Sequence, residues 1–483
     1  MDDKTLPITV LSTQKSACTI EHRALIESIL SYTEMVYKDG DTMKGEYGKV
    51  MSEVTKTIPW TSKKFVFFDT GLIERVRDKA EERGWKTIVL NAPRLMPTVL
   101  PQLPRIRFSD GREFEDFRED QKEVITAVRE EQRGIVVGFT GIGKTLLQMG
   151  VMKAFPSVPI LLLCHDAGII KQTSEDMKEF GIKHGLLTGW KKSYQGERLV
   201  LATRGAAANV GKEVLGRFKG VILDEAHHFN SFSSEYARIF SHLDCPLRVA
   251  FTATLPVTQE GLMTLEAHFG PLIAEIGIRE GTELGLLAHP RISIGRIPVS
   301  YDIRNLKVWD EVYKQGVIQR EVANRIKAQD ARKLVEAGLS VLVVVTNIEH
   351  GDILQRMVRE ELKAPVRFVR GQISMKDREE IKNRLKRREE PCVIANVVWR
   401  EGINIPSLNA VINAAGGKSE IQGMQTVGRG LRKTEEKDEM MIRDYFDPSH
   451  RKLVEHFGER LTMYMDNEWE FFSMESFLRR NRR

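Results

Sequence analysis

Residues 138–145 read Gly138-Phe139-Thr140-Gly141-Ile142-Gly143-Lys144-Thr145, a complete G-x-x-x-x-G-K-T motif. The apolar run 134–138 leads into it as a strand, and 145–155 carries the apolar spacing of a helix. This is the context in which the motif binds phosphate. Its glycines let the backbone turn so tightly that successive N–H groups and the helix start face anionic oxygens. Gly138, Thr140, Gly141 and Gly143 form the cradle. Lys144 reaches the outer phosphates, and the Thr145 hydroxyl suits Mg²⁺. The stretch therefore predicts a nucleotide-binding α/β fold.

Working outward, apolar runs at 158–164, 199–203, 220–223 and 248–252 read as further strands, most of them separated by helical patterns. That alternation predicts a parallel sheet covered by helices on both faces. The pattern breaks at 286–290. A second block then alternates: helix 319–337, strands 340–345 and 365–369, helix 375–388, strands 392–395 and 409–413, a helix from 419, and a strand at 439–444. Upstream, 64–69 and 85–90 read as strands and 73–83 as a helix. The glycine- and charge-rich stretch 37–48 reads as a loop. Pro93, Pro97, Pro101 and Pro104 mark a boundary. The expected architecture is α/β: a small N-terminal α+β domain at 1–112, lobes at 113–290 and 291–448, and a helical extension at 449–483.

Composition bounds the function. The 483 residues carry 73 Lys and Arg against 67 Asp and Glu, a net charge of +6, and 41% are hydrophobic. Such a chain builds several cores without disulfide staples and is neither disordered nor low-complexity. Cys18, Cys164, Cys245 and Cys392 lie far apart with no C-x-x-C pair, so a reducing compartment and no zinc site are expected. No apolar run long enough to span a membrane and no signal-peptide layout is seen, which points to the bacterial or phage-infected cytoplasm. The mild positive balance is compatible with a nucleic-acid partner without requiring one.

Val221-Ile222-Leu223-Asp224-Glu225-Ala226-His227-His228 delivers two adjacent carboxylates at a strand's C-terminal end, where open α/β sheets bind ligands. Asp224 is expected to hold Mg²⁺, and Glu225 to orient and deprotonate an attacking water. Gln121, on the helix before the phosphate-loop strand, has the paired donor and acceptor that read an adenine edge. Thr252 and Thr254, in Phe251-Thr252-Ala253-Thr254, end the next strand and are placed to link the γ-phosphate side to the second lobe. His227 or His228 would couple the acidic motif to them. In Gln425-Thr426-Val427-Gly428-Arg429-Gly430-Leu431-Arg432 two arginines three apart share a helix face or its end. Arginine forks suit a dissociating γ-phosphate. The loop Trp399-Arg400-Glu401-Gly402-Ile403-Asn404-Ile405-Pro406 should face the same cleft.

In this order, DEAH, TAT, R-E-G-x-N-x-P and Q-x-x-G-R-x-x-R resemble the motifs of superfamily 2 helicases, over roughly residues 116–447. The pattern looks closest to phage recombination and replication-fork branch-migration helicases and the related XPB-like repair helicases. It also resembles the motor part of type I and type III restriction enzymes. The resemblance implies two tandem RecA-like P-loop NTPase lobes running on ATP and Mg²⁺. It assigns Gln121 to adenine, His227, Thr252, Thr254 and Gln425 to coupling, Gly402 and Asn404 to sensing nucleotide and strand, and Arg429 and Arg432 to the arginine fingers. It also implies one nucleic-acid strand crossing both lobes in 3′ to 5′ steps. Candidate contacts, each expected in a loop, are Gln172, Thr188, Gly189, Thr203 and Arg204, then Thr346, Asn347, Arg370, Gly371 and Gln372. Two departures stand out. Cys164-His165-Asp166 occupies a place where the family often has Pro-Thr, and Asn404 replaces a common Asp, which makes its bond neutral and weaker.

In the first domain Lys44, Lys49, Lys56, Lys63 and Lys64 mix with Trp60, Phe65, Phe67 and Phe68. That mixture suits a DNA-recognition face, although alternation along a strand should bury part of it as core. The leading expectation is a monomeric ATP-dependent DNA helicase or translocase. It would act on single-stranded, forked or branched DNA in replication, recombination or repair. A single-stranded-DNA-binding or recombination protein is a candidate partner. The alternatives are an RNA helicase, the motor subunit of a restriction or defence complex, and a nucleotide-regulated scaffold that does not unwind.

Overall fold

The computed structural model describes residues 4–481 apart from 40–48, 93, 96–101, 109–112, 140, 257, 371–379, 382, 386, 388, 397–407 and 418–436. The chain divides into two compact units, one of residues 1–138 and 143–275, the other of 139–142 and 276–483. The division falls after Glu275, earlier than the break expected at 290, because the Ile278–Glu283 helix belongs to the second unit.

In the first unit the lobe strands are short and apolar. Ile160–Cys164, Gly220–Asp224 and Leu247–Thr252 are buried along their whole length, which requires helices over both faces. Seven strands run in the order 185–187, 199–203, 160–164, 220–224, 247–252, 133–138, 272–276. The registers across the first six are parallel. The phosphate-loop strand Arg133–Gly138 is therefore not beside the acidic strand. Leu247–Thr252 lies between them, with Val137 opposite Thr252 and Asp224 opposite Phe251. Strands 220–224 and 247–252 thus enter between the earlier strands 160–164 and 133–138, and that reversal opens the crevice in which α/β sheets bind ligands.

The N-terminal domain has its own five-stranded sheet, ordered 60–61, 65–69, 15–19, 5–10, 86–90. Its core of Leu6, Ile8, Val66, Phe68, Leu72 and Val76 continues into Met263 and Ala267 of the lobe helix Gln259–Phe269. The approach is close: a Cβ on Gly71 would stand 2.1 Å from the Glu266 carbonyl oxygen. Thr13 donates to Asp244 at 2.7 Å, Gln14 to the Leu243 carbonyl at 2.7 Å, and Arg75 pairs with Glu266 at 2.5 Å. This small domain therefore shares a core with the first lobe, and removing it would strip apolar surface from the lobe.

Two guanidiniums sit under that junction. Arg248, 1% exposed, donates to the carbonyls of Cys245 at 3.1 Å, Leu243 at 2.6 Å and His268 at 3.5 Å. Arg133 donates to the Thr13 carbonyl at 2.6 Å and the His268 carbonyl at 3.1 Å. Burial pushes Arg133 down to about 9 and His268 down to about 3, so the imidazole is neutral there. Burial also pushes the Asp69 carboxyl up to about 6, against the pull of Arg248 and Arg133.

The largest departure from expectation is a hairpin. Ser31–Asp39 and Lys49–Thr57 pair antiparallel over nine residues, where a loop was expected from 37. Its inner pairs include a Thr33–Thr55 hydroxyl contact at 3.2 Å, and an apolar period of two is absent, so the usual strand signal is missing. Residues 40–48 of the expected loop lie outside the described residues.

The second unit repeats the plan with the parallel strand order 367–369, 392–396, 341–345, 410–413, 439–446, 289–296, 470–471. Val341–Val345 is buried throughout. The expected helix at 375–388 lies largely, and the one from 419 wholly, outside the described residues. The C-terminal extension is built into this unit. Glu470–Phe471 joins the sheet edge, and Met474 and Phe477 enter the core. Arg460, on the Arg451–Asp466 helix, forms a buried pair with Asp444 at 2.7 Å and donates to the Gly417 carbonyl at 3.3 Å. All four cysteines are free and buried. Among the described residues no helix is long and apolar enough to cross a membrane.

Arg248→Met should lower the unfolding free energy by about 3 kcal/mol or more, since the buried Cys245 carbonyl loses its charged donor and those of Leu243 and His268 lose one of two. Urea denaturation monitored by tryptophan fluorescence checks this, and a midpoint unchanged from wild type would refute it.

Candidate nucleotide site and strand path

The phosphate loop leaves the Arg133–Gly138 strand and enters the Lys144–Ala154 helix. Gly141 and Gly143 have φ of 115° and 90°, values that other residues rarely adopt, so the loop needs glycine at both. A Cβ on Gly143 would also meet Gln121 Nε2 at 2.8 Å. Gln121, 1% exposed, sits in the first turn of the Glu119–Glu131 helix, where its amide oxygen accepts from the Arg118 N–H at 3.2 Å. The amide is thus held against the phosphate loop. Thr140 lies outside the described residues, and Thr145 is the second residue of the helix.

Lys144 reaches over the intervening strand to Glu225, Nζ to Oε1 at 3.5 Å, and both side chains are nearly buried. Glu225 has φ 49° and ψ 52°, a left-handed backbone that costs a residue with a side chain energy. Its own N–H donates to Asp224 Oδ1 at 2.9 Å. Burial, then the adjacent Glu225 carboxylate, raise the Asp224 carboxyl above the ordinary aspartate range. Lys144, the Gln148 amide and the Glu225 N–H pull it back.

A relay continues from Glu225. His227 Nδ1 lies 3.6 Å from Glu225 Oε2 and 3.1 Å from Thr252 Oγ1. The Thr252 hydroxyl donates to the Thr254 carbonyl at 2.8 Å, so its oxygen accepts from an N–H on His227 Nδ1. The chain Lys144–Glu225–His227–Thr252–Thr254 links the phosphate loop, the acidic motif and the strand between them. It is assembled from three segments far apart in sequence.

Two neighbours were not singled out as site residues. Gln148, fully buried one helical turn after Lys144, lies beside Asp224, whose carboxyl its amide pulls down. Its signal was a lone polar side chain at i+4 from Lys144 in an otherwise apolar helix face. His165 packs against His228 with tilted rings whose centroids are 3.8 Å apart, so the residue at the unusual Cys164-His165-Asp166 turn touches the acidic motif. Among the described residues Lys144 Nζ has its ion pair with Glu225 and no hydrogen bond. A buried ammonium and a buried amide beside two carboxylates fit a polyanion carrying a divalent cation. Among the described residues no group of three or more His, Cys, Asp or Glu could hold a metal ion alone.

The strand-path candidates fall into different surroundings. Gln172 is on the Ala167–Glu179 helix, not in a loop, and donates to Asp176 at 3.1 Å. Thr188 is fully buried and bonded within its own turn. Thr203 ends the Leu199–Thr203 strand and directly precedes the short Arg204–Ala208 helix without a side-chain capping bond, while Arg204 pairs with Glu235 at 2.9 Å. In the second unit the Thr346 hydroxyl meets that of Tyr313, and Asn347 caps the Ile348–Leu362 helix by accepting from the His350 N–H at 3.3 Å. Arg370 pairs with Asp352 at 3.2 Å. Gly371, Gln372, Gly402, Asn404, Gln425, Arg429 and Arg432 lie outside the described residues.

Comparison with known proteins agrees with this geometry. Residues 115–257 match the family of the type III restriction enzyme res subunit, and residues 326–434 match the helicase conserved C-terminal domain. The chain belongs to the superfamily 2 helicases. Among curated relatives of this helicase, the DNA 3′-5′ translocase XPB2 of Sulfurisphaera tokodaii is 25% identical over 382 residues, 71% of this chain and 84% of that protein. The ATP-dependent DNA helicase uvsW of Enterobacteria phage T4 is 22% identical over 382 residues, 73% and 75% of the two chains. The fold is also that of the DNA-bound type ISP restriction-modification enzyme LlaBIII, at 17% identity and a TM-score of 0.53, over 74% of this chain and 30% of that one.

Two substitutions separate binding from hydrolysis in this helicase. Glu225→Gln should lower the ATP turnover number by about 100-fold or more while nucleotide affinity changes less than about threefold. Lys144→Ala should lose both. Fluorescent-nucleotide titration beside steady-state phosphate release distinguishes them. His227→Ala should instead leave basal turnover standing and reduce its stimulation by nucleic acid.

Proposed function

We propose that this enzyme couples ATP hydrolysis to 3′ to 5′ translocation along DNA and thereby unwinds or branch-migrates forked and junction substrates. The observation that carries the hydrolytic half is the buried Lys144–Glu225 pair and its relay to Thr252. The phosphates of ATP compete for Lys144. Once its ammonium turns to them, the Glu225 carboxylate is released to orient the attacking water and accept its proton. His227, bonded to Thr252, feels that change of partner and passes it to the strand end. Gln121 supports the phosphate loop from behind and is assigned the adenine edge. Asp224 and the Thr145 hydroxyl would hold Mg²⁺, which when bound neutralises charge on the phosphate oxygens. Arg429 and Arg432 take the role their motif implies, further positive charge at the γ-phosphate.

The DNA half draws on the relatives named above and on the N-terminal domain. There the basic-aromatic mixture splits. Phe68 is core, whereas Trp60 and Phe65 are 40% and 44% exposed. Trp60 stacks on Phe67 at 5.9 Å, with Lys15 over its indole at 5.3 Å. Lys56 is taken up by Glu34 at 2.6 Å, and Lys44 lies outside the described residues. The face left for DNA is Lys15, Lys63 and Lys64 with Trp60 and Phe65, which suits a strand end or junction rather than a sequence.

A substrate panel tests this reading. Forked or four-way DNA should stimulate ATP turnover more than single-stranded DNA or RNA, and Lys144→Ala should abolish the stimulated rate. Stimulation by RNA alone would overturn the DNA assignment. Because the front domain shares its core with the first lobe, its contribution is tested with Trp60→Ala and Phe65→Ala rather than by truncation. Both should weaken junction binding and spare basal turnover.

A further inference from the structure

The outermost strand of the first sheet, Gly185–Leu187, turns back on itself at residues 186–193. Ser193 N–H donates to the Leu186 carbonyl at 2.9 Å, Thr188 N–H to the Lys191 carbonyl at 3.0 Å, and Leu187 bridges Lys192. The buried Thr188 hydroxyl donates to the same Lys191 carbonyl at 2.8 Å and accepts from the Lys191 N–H at 3.0 Å. Four bonds within eight residues hold the turn in one shape. At its tip stands Trp190, 49% exposed, followed by the exposed Lys191 and Lys192.

An indole is a costly residue to hold in water at the tip of a tight turn, where small polar side chains are usual. Its position is informative. Leu187 lies opposite Ala202, and Ala202 opposite Leu163, so the turn leaves the sheet at the same end as Thr203, Arg204 and His165. That end is the assigned strand path. Thr203 and Arg204, assigned to phosphate there, are polar, and Trp190 adds a large, half-exposed apolar ring. Lysines beside an exposed indole supply the two chemistries that single-stranded nucleic acid recognises, charge for phosphate and a ring for the base.

We propose that Trp190 stacks on an unpaired base of the bound strand while Lys191 and Lys192 take the neighbouring phosphates. This rests on the strand path of the proposed function and adds to it a base contact that tolerates any sequence. Thr188 is then a positioning residue, buried so that the turn can present the ring.

The test compares binding of an oligo-dT with an oligonucleotide of equal length carrying abasic sites, by fluorescence anisotropy. Wild type should prefer oligo-dT by about tenfold, the scale of one lost base stack. Trp190→Ala should remove that preference while keeping the affinity for the abasic strand, and Trp190→Phe should keep most of it. Retention of the full preference in W190A overturns the stack. Lys191→Ala combined with Lys192→Ala reports separately on the path and should weaken both oligonucleotides alike. Unchanged affinity for both would remove the path from this edge, and the base contact with it.

Discussion

A lysine and a glutamate 3.5 Å apart, nearly out of reach of water, set the terms for the first lobe. Neither charge tolerates burial without the other, so the segments that carry them must arrive together every time the chain folds. Parallel strands buried on both faces provide that accuracy. Their carboxyl ends form one edge, and the order of strands decides which loops meet there. A strand placed between the two partners would seem to separate them, but it ends in Thr252, whose hydroxyl joins the relay. The left-handed backbone of Glu225, costing of the order of 1–3 kcal/mol, is the local strain by which the carboxylate is aimed.

The second unit solves a related problem with charges buried more deeply. Arg460 and Asp444 are 4% and 1% exposed, and Tyr464 donates to the same carboxylate at 2.9 Å. Arg443 and Tyr445 share Asp330 nearby, at 2.8 Å and 3.1 Å. Such networks contribute little net stability and discriminate strongly against misplacement. Arg460 also holds the Gly417 carbonyl, and in sequence Gly417 directly precedes the segment that carries Arg429 and Arg432. The extension at the C-terminus therefore holds the backbone at Gly417, a contact that its helical periodicity did not suggest.

Much of the fold was legible because its strands are locally unambiguous. The 199–203 run was read with the bounds the structure has, and 160–164 and 341–345 are so apolar that only a buried strand suits them. Gly138 to Thr145 and Asp224-Glu225 stood out by spacing alone, and the fold brings the two segments together. Strand order was not legible, since no local pattern says that 247–252 enters between two earlier strands. Nor was the fate of polar side chains that serve structure. Thr188 reads as a surface hydroxyl until its turn is seen to close on it, and Gln148 reads as a helix-former until its amide lies beside Asp224. The hairpin at 31–57 escaped because its pairing residues are largely Thr, Ser, Glu and Lys, which carry no period of two. The docking of the first domain escaped because it depends on Gly71 and Arg133, residues whose sequence neighbours give no hint of a partner so far along the chain.

Arg133 and Arg248 stand at the amino ends of two strands whose carboxyl ends carry the phosphate loop and Thr252. The front domain grips those amino ends through Thr13, Gln14 and the carbonyls around Leu243. A β-strand is stiff along its axis, and here it runs as a strut from one grip to the other. Load on the front domain is delivered through these contacts into the backbone of that sheet. In mechanical terms the small domain is a handle on the lobe, and a force on it bears on the strands whose other ends carry the phosphate loop and Thr252.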